Sequence, residues 1–436
     1  MITKRPLIYI AALSTTVLLA SLVNVASTGR NYSQTYPDVV CPPALSGLNS
    51  QVSVSPSSTQ FQNLENRSSK TVPFKTTRYV MSKSAVVIAA QGITPIAWQS
   101  RPSGWAGGVL CSGPAQSQWF VGGSADVTTR GHLIITNSGL SDAIVDIQSY
   151  SENGKQPVKS INLKSKNFAS IALDSLAPGD HSLAVLVTPR SGRINSFMID
   201  EQGAGLKSLG GDFVNAISVP ATDIMIPAVP NEIQSKIQKN SSSHTLRILA
   251  PGNVETQFTA EILTTDGRFI PVGLNAHTIL AGVVADITFS PSIAAKVFAV
   301  HITSQEPVVA SISTPLTSNG HKDFVWSTSV PTLSPLTMAI SGLTPLFTFA
   351  GDSISVELSV TFLNGKKRIS HITGTDIAAW RAPANAKTVT FISTNNNTYG
   401  GAIVTSTDGY GYFPVEAGSV LTRVEVPNSN IRVLNP

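Results

Sequence analysis

The side chains of this 436-residue chain that could do acid–base, metal or nucleophilic chemistry are seven histidines, two cysteines and 25 acidic residues. The histidines stand at His132, His181, His244, His277, His301, His321 and His371, no two within four residues of each other. Metal-binding motifs place ligands at close spacing so that they share one face, as in His-Glu-x-x-His. No such spacing occurs here, and scattered histidines on strands and loops read as structural or solvated. Cys41 and Cys111 lack both a CxxC partner and a neighbouring histidine, so the pair reads as one structural disulfide. Gly351-Asp352-Ser353 has the composition of a hydrolase nucleophile block, but it precedes an alternating strand instead of a helix. There is no GxSxG elbow, no phosphate-cradling glycine loop and no SxxK near a plausible pocket. Paired carboxylates for glycoside hydrolysis can come from distant positions. An unrecognised glycan hydrolase therefore stays as an alternative that needs two carboxylates converging in one cleft. The expectation is a non-enzymatic protein with no catalytic residue, no cofactor and no metal ligand.

Aromatic residues offer a second kind of chemistry, the stacking of sugar rings. Trp119 opens a Trp-Phe-Val-Gly-Gly segment that could line a sugar site, or could fill a core beside the disulfide. Tyr399, Tyr410 and Tyr412 lie among glycines and threonines near the C-terminus. These four are the candidate glycan contacts.

The elements that must position them are strands. Ile354, Val356, Leu358, Val360 and Phe362 alternate with Ser355, Glu357, Ser359 and Thr361. Period two marks a strand with one buried and one wet face. A repeat surrounds this strand. Leu133–Gly139, Leu246–Gly252 and Leu346–Gly351 are each an apolar strand running into a turn, followed by a second strand and a turn dipeptide. The dipeptides Asn153-Gly154, Asp266-Gly267 and Asn364-Gly365 fall 20, 20 and 18 residues after the opening leucines. Asn-Gly and Asp-Gly suit type I′ hairpin turns, which need positive φ at both central residues. The turns lie 113 and then 98 residues apart, which favours strung sandwiches over a tight solenoid. The expected fold is all-β: an N-terminal transmembrane helix, then about three tandem antiparallel β-sandwich (Ig-like) modules, with a β-propeller as the alternative. The one helical pattern, Asn231–Lys239, is short and reads as a linker helix at most.

Charged residues make up 13% of the chain, about half the usual share of roughly 25%, and hydrophobic residues 42%. The net charge of +5 is thinly spread, its densest cluster being Lys366, Lys367 and Arg368, which argues against a nucleic-acid partner. Lys4 and Arg5 precede an apolar run from Leu7 to Ala26. Twenty residues at about 1.5 Å each span a hydrocarbon core of about 30 Å. The positive flank belongs on the cytoplasmic side, so the rest of the chain is expected outside the cytoplasm. An uncleaved single-pass anchor in the cell membrane is the reading. Secretion after signal-peptide cleavage near Val25-Ala26-Ser27 is the alternative. The segmentation that follows is 1–30 as cytoplasmic tip and anchor and 31–72 as a Ser-rich linker. The three sandwich modules are then 73–215, 216–330 and 331–436.

Several ordered segments carry a family resemblance. They are Cys111-Ser-Gly-Pro114, Trp119-Phe-Val-Gly-Gly123, Thr136-Asn-Ser-Gly139, Leu176-Ala-Pro-Gly179, Leu183–Val187, Gly211-Asp212-Phe-Val214, Ile226-Pro-Ala-Val-Pro230 and Leu249-Ala-Pro-Gly252. Together they resemble the actinobacterial envelope proteins of the domain of unknown function 5719, over roughly residues 105 to 313. The resemblance implies one N-terminal membrane helix, a large extracytoplasmic part and a setting in envelope or glycan assembly. It transfers no catalytic residue. The expected function is a non-catalytic interaction or scaffold element of the cell envelope, with envelope proteins or cell-wall glycan as partners. A carbohydrate-binding surface module is the alternative.

The anchor reading has a direct check. Mature protein should stay in the membrane fraction through a carbonate wash and should retain Lys4 and Arg5. Recovery of a soluble form beginning near Ser27 or Thr28 would contradict it.

Overall fold

The computed structural model of the protein describes residues 38–56, 59–65, 71–204, 207–232 and 243–419. The expected anchor lies outside the described residues, as does most of the expected linker helix. Among the described residues no helix is long and apolar enough to cross a membrane. What they contain is thirty-two strands and one 3-10 turn, Leu173–Ser175. Strand alternation does what the sequence predicts: Ile354, Val356, Leu358 and Val360 are buried on Leu346–Phe362 while Ser355 is exposed.

The strands form four units where three were expected. In the first, the sheet Asp38–Cys41, Val86–Ala89, Gln60–Asn63, Val72–Pro73 shares a core with the sheet Arg78–Val80, Asn49–Ser53, Ile96–Arg101, Trp105–Leu110. Several of these strands lie in the stretch read as a Ser-rich linker. Their apolar residues are few but deeply placed, Val39, Val40, Val52 and Val54 being almost wholly buried. The second unit (residues 118–214) pairs a sheet built on Ala143–Ser151 and Leu183–Pro189 with one built on His132–Asn137 and Ile194–Ala204. In the third (221–328), the 22-residue strand Val297–Ser318 runs through both halves. It pairs first with Ala221–Pro230 and Thr256–Thr264, then with His244–Leu249 and His321–Thr328. The fourth (336–414) is organised in the same way around Leu346–Phe362.

The three repeat turns are present, with a different geometry from the one expected. Gly154, Gly267 and Gly365 have positive φ, at 98°, 122° and 81°, whereas Asn153, Asp266 and Asn364 do not. Only one residue per turn is left-handed, so these are not type I′ turns.

The units close into a ring through their last strands, Trp105–Leu110, Lys207–Val214, His321–Thr328 and Tyr410–Pro414. Each packs against the next, and the fourth packs against the first. Alternation explains the closure, because one face of a strand can serve its own core while the other serves a neighbour's or the seam between two units. Trp105 and Val109 sit in the first unit's core, while Ala106 and Leu110 enter the fourth's. Phe213 from the second unit enters the first core, and Phe324 and Trp326 from the third enter the second. Tyr412 of the fourth joins Leu316 and Val325 of the third, while Phe413 stays in its own core. A parallel pairing of Ile93–Thr94 with Leu336–Ala339 also joins the first and fourth units.

Where these strands meet, their backbones nearly touch. A Cβ on Gly411 would lie 2.7 Å from the Gly108 nitrogen, and one on Gly211 would lie 2.8 Å from the Trp105 ring. Glycine in a strand interior marks such an approach. The backbone N–H groups at this hub are taken by buried carboxylates. Asp212 accepts from the Trp326 N–H at 2.9 Å and the Phe213 N–H at 2.8 Å. Asp323 accepts from the Gly211 N–H at 3.2 Å and the Tyr410 N–H at 2.9 Å. Asp200 accepts the Trp326 indole N–H at 2.9 Å. Arg247 of the third unit lies 5.0 Å from the Trp326 ring and donates to the Gly123 carbonyl of the second. Three of the four units thus meet at Asp323 alone.

Burial disfavours the charged form of these acids. It pushes Asp200 up, Asp212 well up, and Asp323 to about 7. An acid whose pKa is higher folded than unfolded holds its proton more tightly in the native state. Stability from that group is therefore full below the unfolded value and falls as pH rises towards the folded one. His244, buried against Phe289 and Phe298 and lowered to about 4 by desolvation, works in the opposite direction. The wild-type protein and Asp323→Asn share that histidine. Melting temperature should fall more steeply in the wild type than in Asp323→Asn between about pH 4 and about pH 7. Equal slopes would show that Asp323 titrates as an ordinary carboxylate.

Candidate functional site

The structure joins Cys41 to Cys111 in a disulfide that is fully buried and spans 70 residues of sequence. The bridge ties the first strand of the first unit to the residue that follows its last strand.

The four aromatic candidates do not come together. Trp119 is 6% exposed, with its ring 5.8 Å from Tyr150 and Val121, Ile217 and Leu249 in the same cluster. Tyr412 is fully buried, and its hydroxyl donates to the Thr328 carbonyl at 3.1 Å. Stacking a sugar requires an open ring face, so both belong to the core instead of a contact surface. Tyr399 is half-buried and lines a small cavity of about 210 Å³ with Asp223 and Pro331. Tyr410, two residues from Tyr412 and on the same face, is half-buried and lines a different and larger pocket.

That pocket, of about 430 Å³, lies where the third and fourth units meet. The third unit supplies Asn231 and Glu232 just after the strand Ala221–Pro230, and Lys296, Val297 and Leu316 around the two ends of its 22-residue strand. The fourth supplies Arg381 from the end of Lys367–Arg381, Thr405 from the end of Tyr399–Thr405, and Tyr410 from the start of the last strand. Val297, Leu316, Leu346 and Ile403 make its apolar wall. Asn231 donates from its side-chain amide to the Ala295 carbonyl at 2.8 Å, while its amide oxygen accepts no hydrogen bond. Tyr410 donates weakly to the Thr317 carbonyl, at 3.4 Å. Burial, followed by the charges of Glu232 and Asp323, raises the phenol above its ordinary range. It stays protonated at neutral pH and can donate.

A second cleft, of about 580 Å³, lies between the first and second units. Asp174 and Glu201 both line it, the convergence that a hydrolase reading asks for. Both Glu201 oxygens are engaged by the Arg101 guanidinium, at 2.7 and 2.8 Å. His132, also at this cleft, is pushed down by burial and hydrogen-bonds Ser170 through Nδ1 at 3.2 Å. Among the described residues no Phe, Tyr or Trp lines this cleft. Among the described residues no group of three or more His, Cys, Asp or Glu is placed to hold a metal ion.

Sequence reasoning missed Asn231, Lys296 and Arg381. They are ordinary polar residues far apart in the chain, and only the seam between two units gathers them. The Ile226–Pro230 segment, which ends beside Asn231, was the nearest available signal.

The molecule is thus an all-β protein of four sheet units closed on themselves, with ligand-sized clefts at the seams. It belongs to the DUF5719 family, a family of unknown function, whose model matches residues 96–367. The match starts at the strand Ile96–Arg101 and takes in three of the four hub strands. No curated protein matches this sequence. A solved structure described as "Crystal Structure of Thermotoga maritima 1070" is similar at 15% identity. The similarity covers 23% of this chain and 92% of that one with a TM-score of 0.21, too low to speak to fold or function.

Proposed function

We propose that this is a non-catalytic protein of the cell envelope, held at the membrane by its N-terminal apolar segment, whose extracytoplasmic ring serves as an interaction scaffold. The observation that carries this reading is the buried Cys41–Cys111 disulfide, since such bonds form and persist in oxidising compartments. The run Leu7–Ala26 with its Lys4-Arg5 flank supports the same orientation. The hub carboxylates Asp200, Asp212 and Asp323 are engaged in holding strands together, which suits a scaffold. In the chain-entropy picture, a bridge closing a loop of about 70 residues disfavours the unfolded state by roughly 4 kcal/mol. Protein recovered from intact cells and alkylated before reduction should therefore yield Cys41 and Cys111 as one linked peptide pair. Two thiols that alkylate once the protein is denatured without reductant would place the chain in a reducing compartment and overturn the reading.

A second reading is that the scaffold binds glycan. The pocket at the third–fourth seam favours it by combining the Tyr410 ring with polar groups on an apolar wall. Sedimentation with purified cell wall should show saturable retention that Tyr410→Ala loses, while Tyr399→Ala retains it. Retention unaffected by Tyr410→Ala would remove this pocket from the account.

A further inference from the structure

We propose that the pocket at the seam of the third and fourth units binds an anionic saccharide. Tyr410 would provide its stacking face, and Lys296 and Arg381 its charge partners. The inference rests on the glycan-binding reading above and adds to it the charge of the ligand and the groups that recognise it.

The volume of about 430 Å³ falls within the range of roughly 300–1,000 Å³ usual for small-ligand sites. The lining carries two cations and one carboxylate, Glu232, among the described residues. The Lys296 ammonium makes no hydrogen bond or ion pair with a described residue, and it is exposed. Arg381 donates to the Thr344 carbonyl at 3.2 Å and forms no ion pair with a described carboxylate. With Glu232 in the same lining the two cations still leave the pocket one net positive charge, which attracts an anion, and a guanidinium suits planar oxyanions in particular.

The neutral groups indicate what carries that anion. A sugar ring presents C–H groups on one face and hydroxyls at its edge. The half-buried Tyr410 ring answers the first, and the Tyr410 and Thr405 hydroxyls answer the second. A carboxylated sugar and a phosphorylated sugar share this chemistry.

The test is titration calorimetry on the full chain in detergent with three probes: a glucuronate disaccharide, glucose 6-phosphate and neutral cellobiose. At least one anionic probe should bind saturably, on the order of tenfold more tightly than cellobiose, the factor expected of one charge-assisted contact. Which one binds distinguishes carboxylate from phosphate. Lys296→Gln with Arg381→Gln should remove that preference without moving the melting temperature, because both side chains are exposed. Tyr410→Ala should weaken binding of all saccharides. Equal binding of cellobiose and the anionic probes would overturn the charge assignment and leave glycan binding standing. No binding of any of the three would overturn both.

Discussion

Everything in this fold depends on how closely four strands approach at one place. Trp105–Leu110, Lys207–Val214, His321–Thr328 and Tyr410–Pro414 meet with so little room that glycine is needed at Gly211 and Gly411. Backbones brought together outside a regular ladder leave N–H groups that water cannot reach. A buried donor without a partner is costly. Asp212 and Asp323 supply the acceptors, each taking two N–H groups at least one of which comes from another unit. Their burial is therefore a consequence of the strand geometry, and their raised pKa values follow from the burial.

Closure at the hub also decides where a ligand could sit. Because each last strand lends one face to a neighbouring core or seam, the units are packed into one another, although the third also keeps a core made of its own residues. The seams are continuous with the interior, and their outer ends open as clefts lined from two units. At the third–fourth seam the long strands Val297–Ser318 and Leu346–Phe362 both reach the rim, one with Val297 and Leu316 and the other with Leu346. Substitutions at the hub should therefore alter the pocket indirectly, by changing how the two units meet.

The sequence made the local layer legible. The alternation of Ile354 through Val360, the strand class and the cysteine pairing all depend on neighbours in the chain or on a count of two. The first unit was hidden because its strands are short and polar. Asn49–Ser53 has one apolar residue, Val52, and only the facing sheet shows that it is core. The aromatic candidates divided on the same ground. Tyr410 and Tyr412 share one strand face and have similar surroundings in sequence, yet Tyr412 lies against Val325 and Ala228 while Tyr410 reaches the rim. The hub carboxylates could not be read from the sequence, since their partners in other units lie far along the chain, 114 residues for Asp212 and Trp326 and 87 for Asp323 and Tyr410. One signal was available: glycine and aromatic residues alternate in Gly409-Tyr-Gly-Tyr-Phe413, and glycines interrupt Trp105-Ala-Gly-Gly-Val-Leu110. Glycine inside a strand pattern indicates a close backbone approach.

The central claim is that the four units form one closed body sustained at the hub. Native-state hydrogen exchange on the full chain tests it most directly, read at the amides of Val109, Phe213, Val325 and Phe413. If the ring closes as described, these four amides share one opening free energy, and Gly211→Val lowers protection at all four together. Independent opening energies, with the loss in Gly211→Val confined to the second unit, would mean that the units are separate modules strung along the chain.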